Sequence, residues 1–158
     1  MIEAPRIMQM AAQPIASLRL CVAWPEMRTV MGPALAEVRA AVATQGVATA
    51  GPWFTHHFRK PTHTLDFEIC LPVATSVAPV GRVTAGELRA AQVARTVFHG
   101  NYDGLGKAWG EFAQWIADNK LTAAADFFEC YVIGPEATSD PAGWRTEFSW
   151  PLIAAGGG

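Results

Sequence analysis

The sequence has no basic excess. Twelve Lys and Arg stand against fourteen Asp and Glu, a formal net charge of −2, with no Lys/Arg run or stripe. A direct nucleic-acid partner is therefore not expected. No apolar run approaches the ~20 residues of a membrane-spanning helix. The first ten residues, MIEAPRIMQM, carry an acid early and no long apolar core, so they do not read as a signal peptide, and a cytoplasmic protein is expected. Cysteine is scarce. Cys21, Cys70 and Cys130 are odd in number and far apart, which suits reduced, buried thiols rather than a disulfide framework. Gly-x-Ser-x-Gly, His-Glu-x-x-His and an uninterrupted phosphate-cradling glycine loop are all missing, so neither metal nor cofactor is expected. With 51 % hydrophobic and only 16 % charged residues, disorder is excluded and one domain over residues 1–158 is expected. The C-terminal Ala-Ala-Gly-Gly-Gly reads as a flexible tail.

What is present repeats itself. Residues 33–61 align without a gap on residues 107–135, an offset of 74. Glu37 falls on Glu111, Val42 on Ile116, Val47 on Leu121, Phe54 on Phe128 and Pro61 on Pro135. Further on, DFEICLP (66–72) matches RTEFSWP (145–151) at an offset of 79, and AAQPIA (11–16) echoes AAQVA (90–94). Each half, about 7–75 and 87–153, reads strand, helix, strand, strand. The spacing predicts strands over 7–23, 52–58 and 65–75 around a helix over 28–45, with Pro14 at a bulge or edge and Gly46 as the helix stop. It predicts strands over 87–98, 126–133 and 145–153 around a helix over 103–119, with Asn101 or Asp103 as cap. The expected fold is α+β: duplicated modules forming an antiparallel sheet with two helices on one face and a central cleft at the seam.

One strand poses a question. In FFECYVIG (127–134) a single acid, Glu129, sits among Phe, Tyr, Val and Ile. Strand alternation puts Phe127, Glu129, Tyr131 and Ile133 on one face and Phe128, Cys130 and Val132 on the other, with both faces expected to be covered. A buried acid needs a partner or a purpose. The repeat has Thr55 at the matching position, so the framework itself does not require the acid.

HGNYDGL (99–105), AWGEFAQWI (108–116), ECY (129–131), Asp140-Pro141 and TEFSWPL (146–152) together resemble the gyrase-inhibitor-like small-molecule-binding family, whose domain also forms the effector-binding part of bacterial multidrug-responsive transcription regulators. The resemblance covers nearly the whole chain and is weaker in the first half. It implies the duplicated fold and a cleft for bulky aromatic or cationic organic compounds. It further implies that Glu129, in the Glu-any-Tyr position, faces that cleft. The chain lacks a helix-turn-helix segment and so resembles stand-alone members, some of which hydrolyse cyclopropane-bearing natural products with the cleft glutamate and aromatic residues.

Candidate ligand-binding residues are Glu129, Tyr131, Tyr102, Trp53, Trp109 and Trp144, with Glu129 also the candidate catalytic base. Each has a plainer reading. Glu129 can be paired with Arg145 across the hairpin, and Tyr131 can be a core tyrosine with a satisfied hydroxyl. Tyr102 can pack the helix start, and Trp109 shares a helical stripe with Phe112 and Ile116 as core residues do. Trp115 and Trp150 are further candidate walls. Adjacent His56 and His57 point to opposite faces and do not share an ion; together with His63 and His99 they read as structural. Two function classes follow: a module that binds an aromatic or cationic small molecule for sensing, sequestration or detoxification, and a cofactor-independent hydrolase of strained electrophiles using Glu129. A gyrase-inhibitor-like modulator of another protein is the weaker third. A homodimer or a separate regulator partner remains open.

Overall fold

The computed structural model describes residues 1–153; the expected tail at 154–158 lies outside the described residues. In chain order the elements are β1 (Arg6–Met10), β2 (Gln13–Ala23), α1 (Met27–Thr44), β3 (Phe54–His57), β4 (Thr64–Pro72), β5 (Thr84–Leu88), β6 (Ala91–His99), α2 (Leu105–Asp118), β7 (Thr122–Ala123), β8 (Phe127–Ile133) and β9 (Arg145–Ile153). They form two compact units. Ala11–Ala90 is one; Met1–Met10 and the chain from Ala91 onward make up the other. The architecture is α+β with antiparallel pairing in both, as the sequence predicts.

In the N-terminal unit the strands run in the order β3-β4-β2-β5. Alternation along β4 turns Leu65, Phe67, Ile69 and Leu71 toward α1, where they close over Ala34, Val38, Ala41 and Val42. The C-terminal unit has the order β1-β6-β9-β8, with β7 added to β9. Here Ala108, Phe112 and Ile116 of α2, spaced at i, i+4 and i+8, cover Phe148, Trp150 and Phe127. Phe67, Phe112 and Phe148 are wholly buried, and truncating any one to Ala costs about 3–5 kcal/mol by the usual core scale.

The duplication extends to individual hydrogen bonds. After α1, Gly46 N donates to Ala43 O at 3.0 Å and Val47 N to Val42 O at 3.4 Å; after α2, Lys120 N donates to Ala117 O at 3.0 Å and Leu121 N to Ile116 O at 3.0 Å. Both are Schellman stops, and both need a left-handed residue: Gly46 at φ 68° and Lys120 at φ 59°. Beyond the stop, Ala50 N donates to Pro72 O at 2.9 Å and Ala124 N to Pro151 O at 2.8 Å.

Three expectations about the strands need correction, and Cys21, expected among the buried thiols, is exposed. The strand expected over 7–23 is two strands, broken at Ala11 and Ala12, with β1 pairing β6 and β2 pairing β4. The strand expected over 87–98 is likewise divided: β5 pairs β2 in the N-terminal unit, and β6 starts the second unit. Composition cannot signal these breaks, because Ala-rich segments such as Ala11-Ala12 and Arg89-Ala90 carry no turn residue. In β8, the strand is not covered throughout. Val132 is 54 % and Ile133 36 % exposed, and a bulge lets Tyr131 oppose Thr146 while Ile133 opposes Arg145. Two residues of β8 then face one of β9, which takes Ile133 off the Glu129 face.

Candidate functional site

Glu129 lies opposite Phe148 in the β8–β9 ladder, so its side chain shares the α2-facing side of the sheet with the aromatic core. It is buried, at 8 % exposure. Its two oxygens are separately engaged. Trp109 of α2 donates its indole N–H to Oε1 at 2.7 Å, and Tyr131, two residues along the strand, donates its hydroxyl to Oε2 at 2.7 Å. Hydrogen bonds to a carboxylate are the strong kind, and here they compensate its removal from water. Arg145, the alternative partner considered from sequence, gives its guanidinium to the carbonyls of Ala142 and Trp144 at 3.0 and 2.7 Å.

The rings around the carboxylate are tightly ordered. Trp109 stacks on Phe148 with centroids 4.2 Å apart and planes 11° apart, and meets Trp150 edge-on at 5.5 Å. This holds the indole N–H toward Glu129. Tyr102, in a 3-10 turn (Tyr102–Gly104) capped by the Asn101 side chain, meets Tyr131 edge-to-face at 5.8 Å and Trp144 at 4.8 Å. Trp144 donates its indole N–H to Thr138 O at 2.9 Å, tying the 134–143 loop to this aromatic group. Burial pushes the Tyr102 hydroxyl up, and the charges of Glu136 and Glu129 push it further.

Five of the six candidate residues therefore gather in the C-terminal unit: Glu129, Tyr131, Tyr102, Trp109 and Trp144. The sixth, Trp53, packs against the α1 core of the N-terminal unit. Trp109 is both stripe residue and carboxylate partner. Trp150 belongs to the core, with its indole N–H on Ala124 O at 2.7 Å. Trp115 is partly buried against the same core.

Sequence reasoning missed Glu136, which stands in the loop between β8 and β9. Gly134 explains how it comes close. A Cβ at that position would meet Glu136 Oε2 at 2.9 Å and the Tyr102 hydroxyl at 3.1 Å. An acid two residues past a glycine in a polar loop is the only signal the sequence offered.

Three of the four histidines lie against neighbouring side chains. His56 Nδ1 is 3.2 Å from Glu68 Oε1, whereas His57 stacks on Phe67 at 5.4 Å and lies 3.0 Å from Thr55 Oγ1. His99 Nε2 is 2.6 Å from Glu3 Oε2. Among the described residues no three or more His, Cys, Asp or Glu are placed to hold a metal ion, and no helix is long and apolar enough to cross a membrane. The Cys130 thiol is pushed up to about 11, chiefly by burial and further by Glu147, so it is protonated at neutral pH.

This duplicated α+β frame is that of a small-molecule-binding domain. The sequence model of the GyrI-like small molecule binding domain matches residues 3–153, and the chain belongs to that family. The C-terminal domain of EcmrR superposes with a TM-score of 0.85 at 23 % identity, over 96 % of this chain and 98 % of that one. Against the longer EcmrR chain in its complex with DNA, the match spans 58 % of that chain. SAV2435 bound to tetraphenylphosphonium superposes with a TM-score of 0.64 at 10 % identity, over 96 % of this chain and 95 % of that one. A hydrolase from Listeria innocua gives 0.64 at 10 % identity, over 94 % and 91 %. No curated protein sequence matches this chain.

Proposed function

We propose that the chain captures bulky aromatic cations at Glu129, in the service of sensing, sequestration or detoxification. One observation carries this reading: a buried carboxylate held by Trp109 and Tyr131 among stacked aromatic rings. A cation placed over Tyr102, Tyr131 and Trp144 gains ring-face attraction and the charge of Glu129 together. That the fold relative SAV2435 is bound to tetraphenylphosphonium supports the same ligand class.

The hydrogen bonds sharpen the choice of ligand. Trp109 and Tyr131 already donate to both carboxylate oxygens. A quaternary ammonium or phosphonium has no proton to donate and leaves those bonds in place. A primary ammonium must share those oxygens with the two donors and loses its own hydration on entry. Calorimetric titration with tetraphenylphosphonium and with a primary amine of matched aromatic size tests this. The expected preference for the phosphonium is roughly tenfold or more, equivalent to ~1.4 kcal/mol. Equal affinities, or a preference for the amine, would refute it.

Hydrolysis at Glu129 is the second reading. The name of the Listeria innocua relative describes that protein. Here a water would have to share an oxygen with the Trp109 or Tyr131 donor, which favours capture over turnover.

A further inference from the structure

The two units surround equivalent spaces with equivalent residues, and one of those spaces is open. In the N-terminal unit a groove of about 540 Å³ lies beside the second half of α1 and the segment leading into β3. Val42, Val47, Trp53 and Leu71 wall it, and the exposed Arg39 is its one charged lining residue. In the aligned positions the C-terminal unit has Ile116, Leu121, Phe127 and Trp150, with Ala113 in place of Arg39. There the space is filled. Trp150 is 7 % exposed, its ring lies 6.0 Å from Phe127 and 6.1 Å from Phe112, and its indole N–H donates to Ala124 O at 2.7 Å. Leu71 is smaller than an indole, and Val42 and Val47 are each smaller than their counterparts, while Trp53 is larger than the Phe127 it aligns with. The backbone around the space is held alike. Ala50 takes the place of Ala124 through the same bond to a strand proline, and it sits between the lining residues Thr49 and Gly51.

We propose that this groove is a second binding site, for an aromatic carboxylate of indole size. The ring takes the volume that the Trp150 indole fills in the other unit, against Trp53 and Leu71. A ring N–H donates to Ala50 O, as the Trp150 indole does to Ala124 O. The carboxylate meets the Arg39 guanidinium, whose fork matches it. The volume falls within the range of small-molecule sites, and apolar walls with one convergent charge are their usual make-up. The sign of that charge is opposite to that of Glu129, so the two sites select different ligands, and neither reading depends on the other.

The test is titration of the ¹⁵N-labelled full chain with indole-3-acetate, followed by amide shifts. Saturable shifts confined to Arg39, Val42, Val47, the 49–53 segment and Leu71 are expected. Leu71→Trp installs the missing plug and should weaken binding at least tenfold. Ala43→Trp covers the groove from its exposed rim, should act alike, and leaves the core untouched if Leu71→Trp disturbs folding. Arg39→Gln should weaken indole-3-acetate about tenfold, as expected for loss of a charge-assisted pair, while unsubstituted indole binds within about twofold of before. The proposal is overturned by shifts centred elsewhere, by the absence of saturable shifts, by unchanged affinity in both plugged variants, or by displacement of indole-3-acetate with tetraphenylphosphonium.

Discussion

The Tyr131 hydroxyl donates to Glu129 Oε2 at 2.7 Å from two residues along the same strand. The aligned pair in the other unit, Thr55 and His57, makes the same i, i+2 contact at 3.0 Å. Each unit thus keeps a polar pair on the helix-covered face of one strand, and only the C-terminal pair includes an acid. The pairing belongs to the frame, whereas the charge is an addition to it.

Tyr131→Phe keeps the ring and removes the donor. With one carboxylate oxygen deprived of that bond, the variant should lose about 1–3 kcal/mol of stability. Urea unfolding monitored by circular dichroism measures it. A change below ~0.5 kcal/mol would mean that water replaces the hydroxyl without loss.

Trp109→Phe removes both the indole donor to Oε1 and the close stack on Phe148. A loss of about 2–4 kcal/mol is expected, larger than for Tyr131→Phe because packing is lost as well. The same unfolding measurement ranks the two variants, and the reverse order would contradict the geometry.

Lys120 and Gly46 hold equivalent left-handed helix stops, but only one is the residue suited to it. Lys120→Gly should stabilise the chain by roughly 0.5–1 kcal/mol, and Gly46→Ala should destabilise it by about 1 kcal/mol. Opposite signs in thermal unfolding are the expected result; equal signs would show that the two stops are not equivalent.

Cys130 should resist alkylation at neutral pH. With its thiol pushed up to about 11, the thiolate fraction at pH 8 is on the order of one in a thousand, so iodoacetamide should label exposed Cys21 first. The raised value also sets a sign. The folded chain holds this proton where the unfolded chain releases it, so the stabilisation is present below the ordinary thiol value of 9.0 and is lost as pH rises to about 11. Mass spectrometry of labelled peptides across pH 7–11 reads the first effect directly.

Much of the fold was legible because duplication multiplies weak signals. Val42 and Val47 alone say little, but their match to Ile116 and Leu121 at a fixed offset fixes the helix stop and the turn after it. The breaks at Ala11-Ala12 and Arg89-Ala90 were not legible, since strand exchange there is decided by partners far along the chain. The candidate site was half legible. Glu129 and Tyr131 announce themselves as neighbours on one strand face, but the Trp109 bond spans twenty residues and looked like ordinary stripe packing. Glu136 escaped notice because its approach depends on Gly134 and on the fold of an irregular loop.

Glu129→Gln tests cation capture at the buried carboxylate. Gln keeps the size and an acceptor for one of the two donors, and it removes the charge. Calorimetric titration of both proteins with tetraphenylphosphonium and with neutral triphenylphosphine oxide separates charge from shape. At least a tenfold loss of affinity for the phosphonium and a change of less than about twofold for the oxide are expected. Equal phosphonium affinity in the two proteins would contradict capture by that carboxylate.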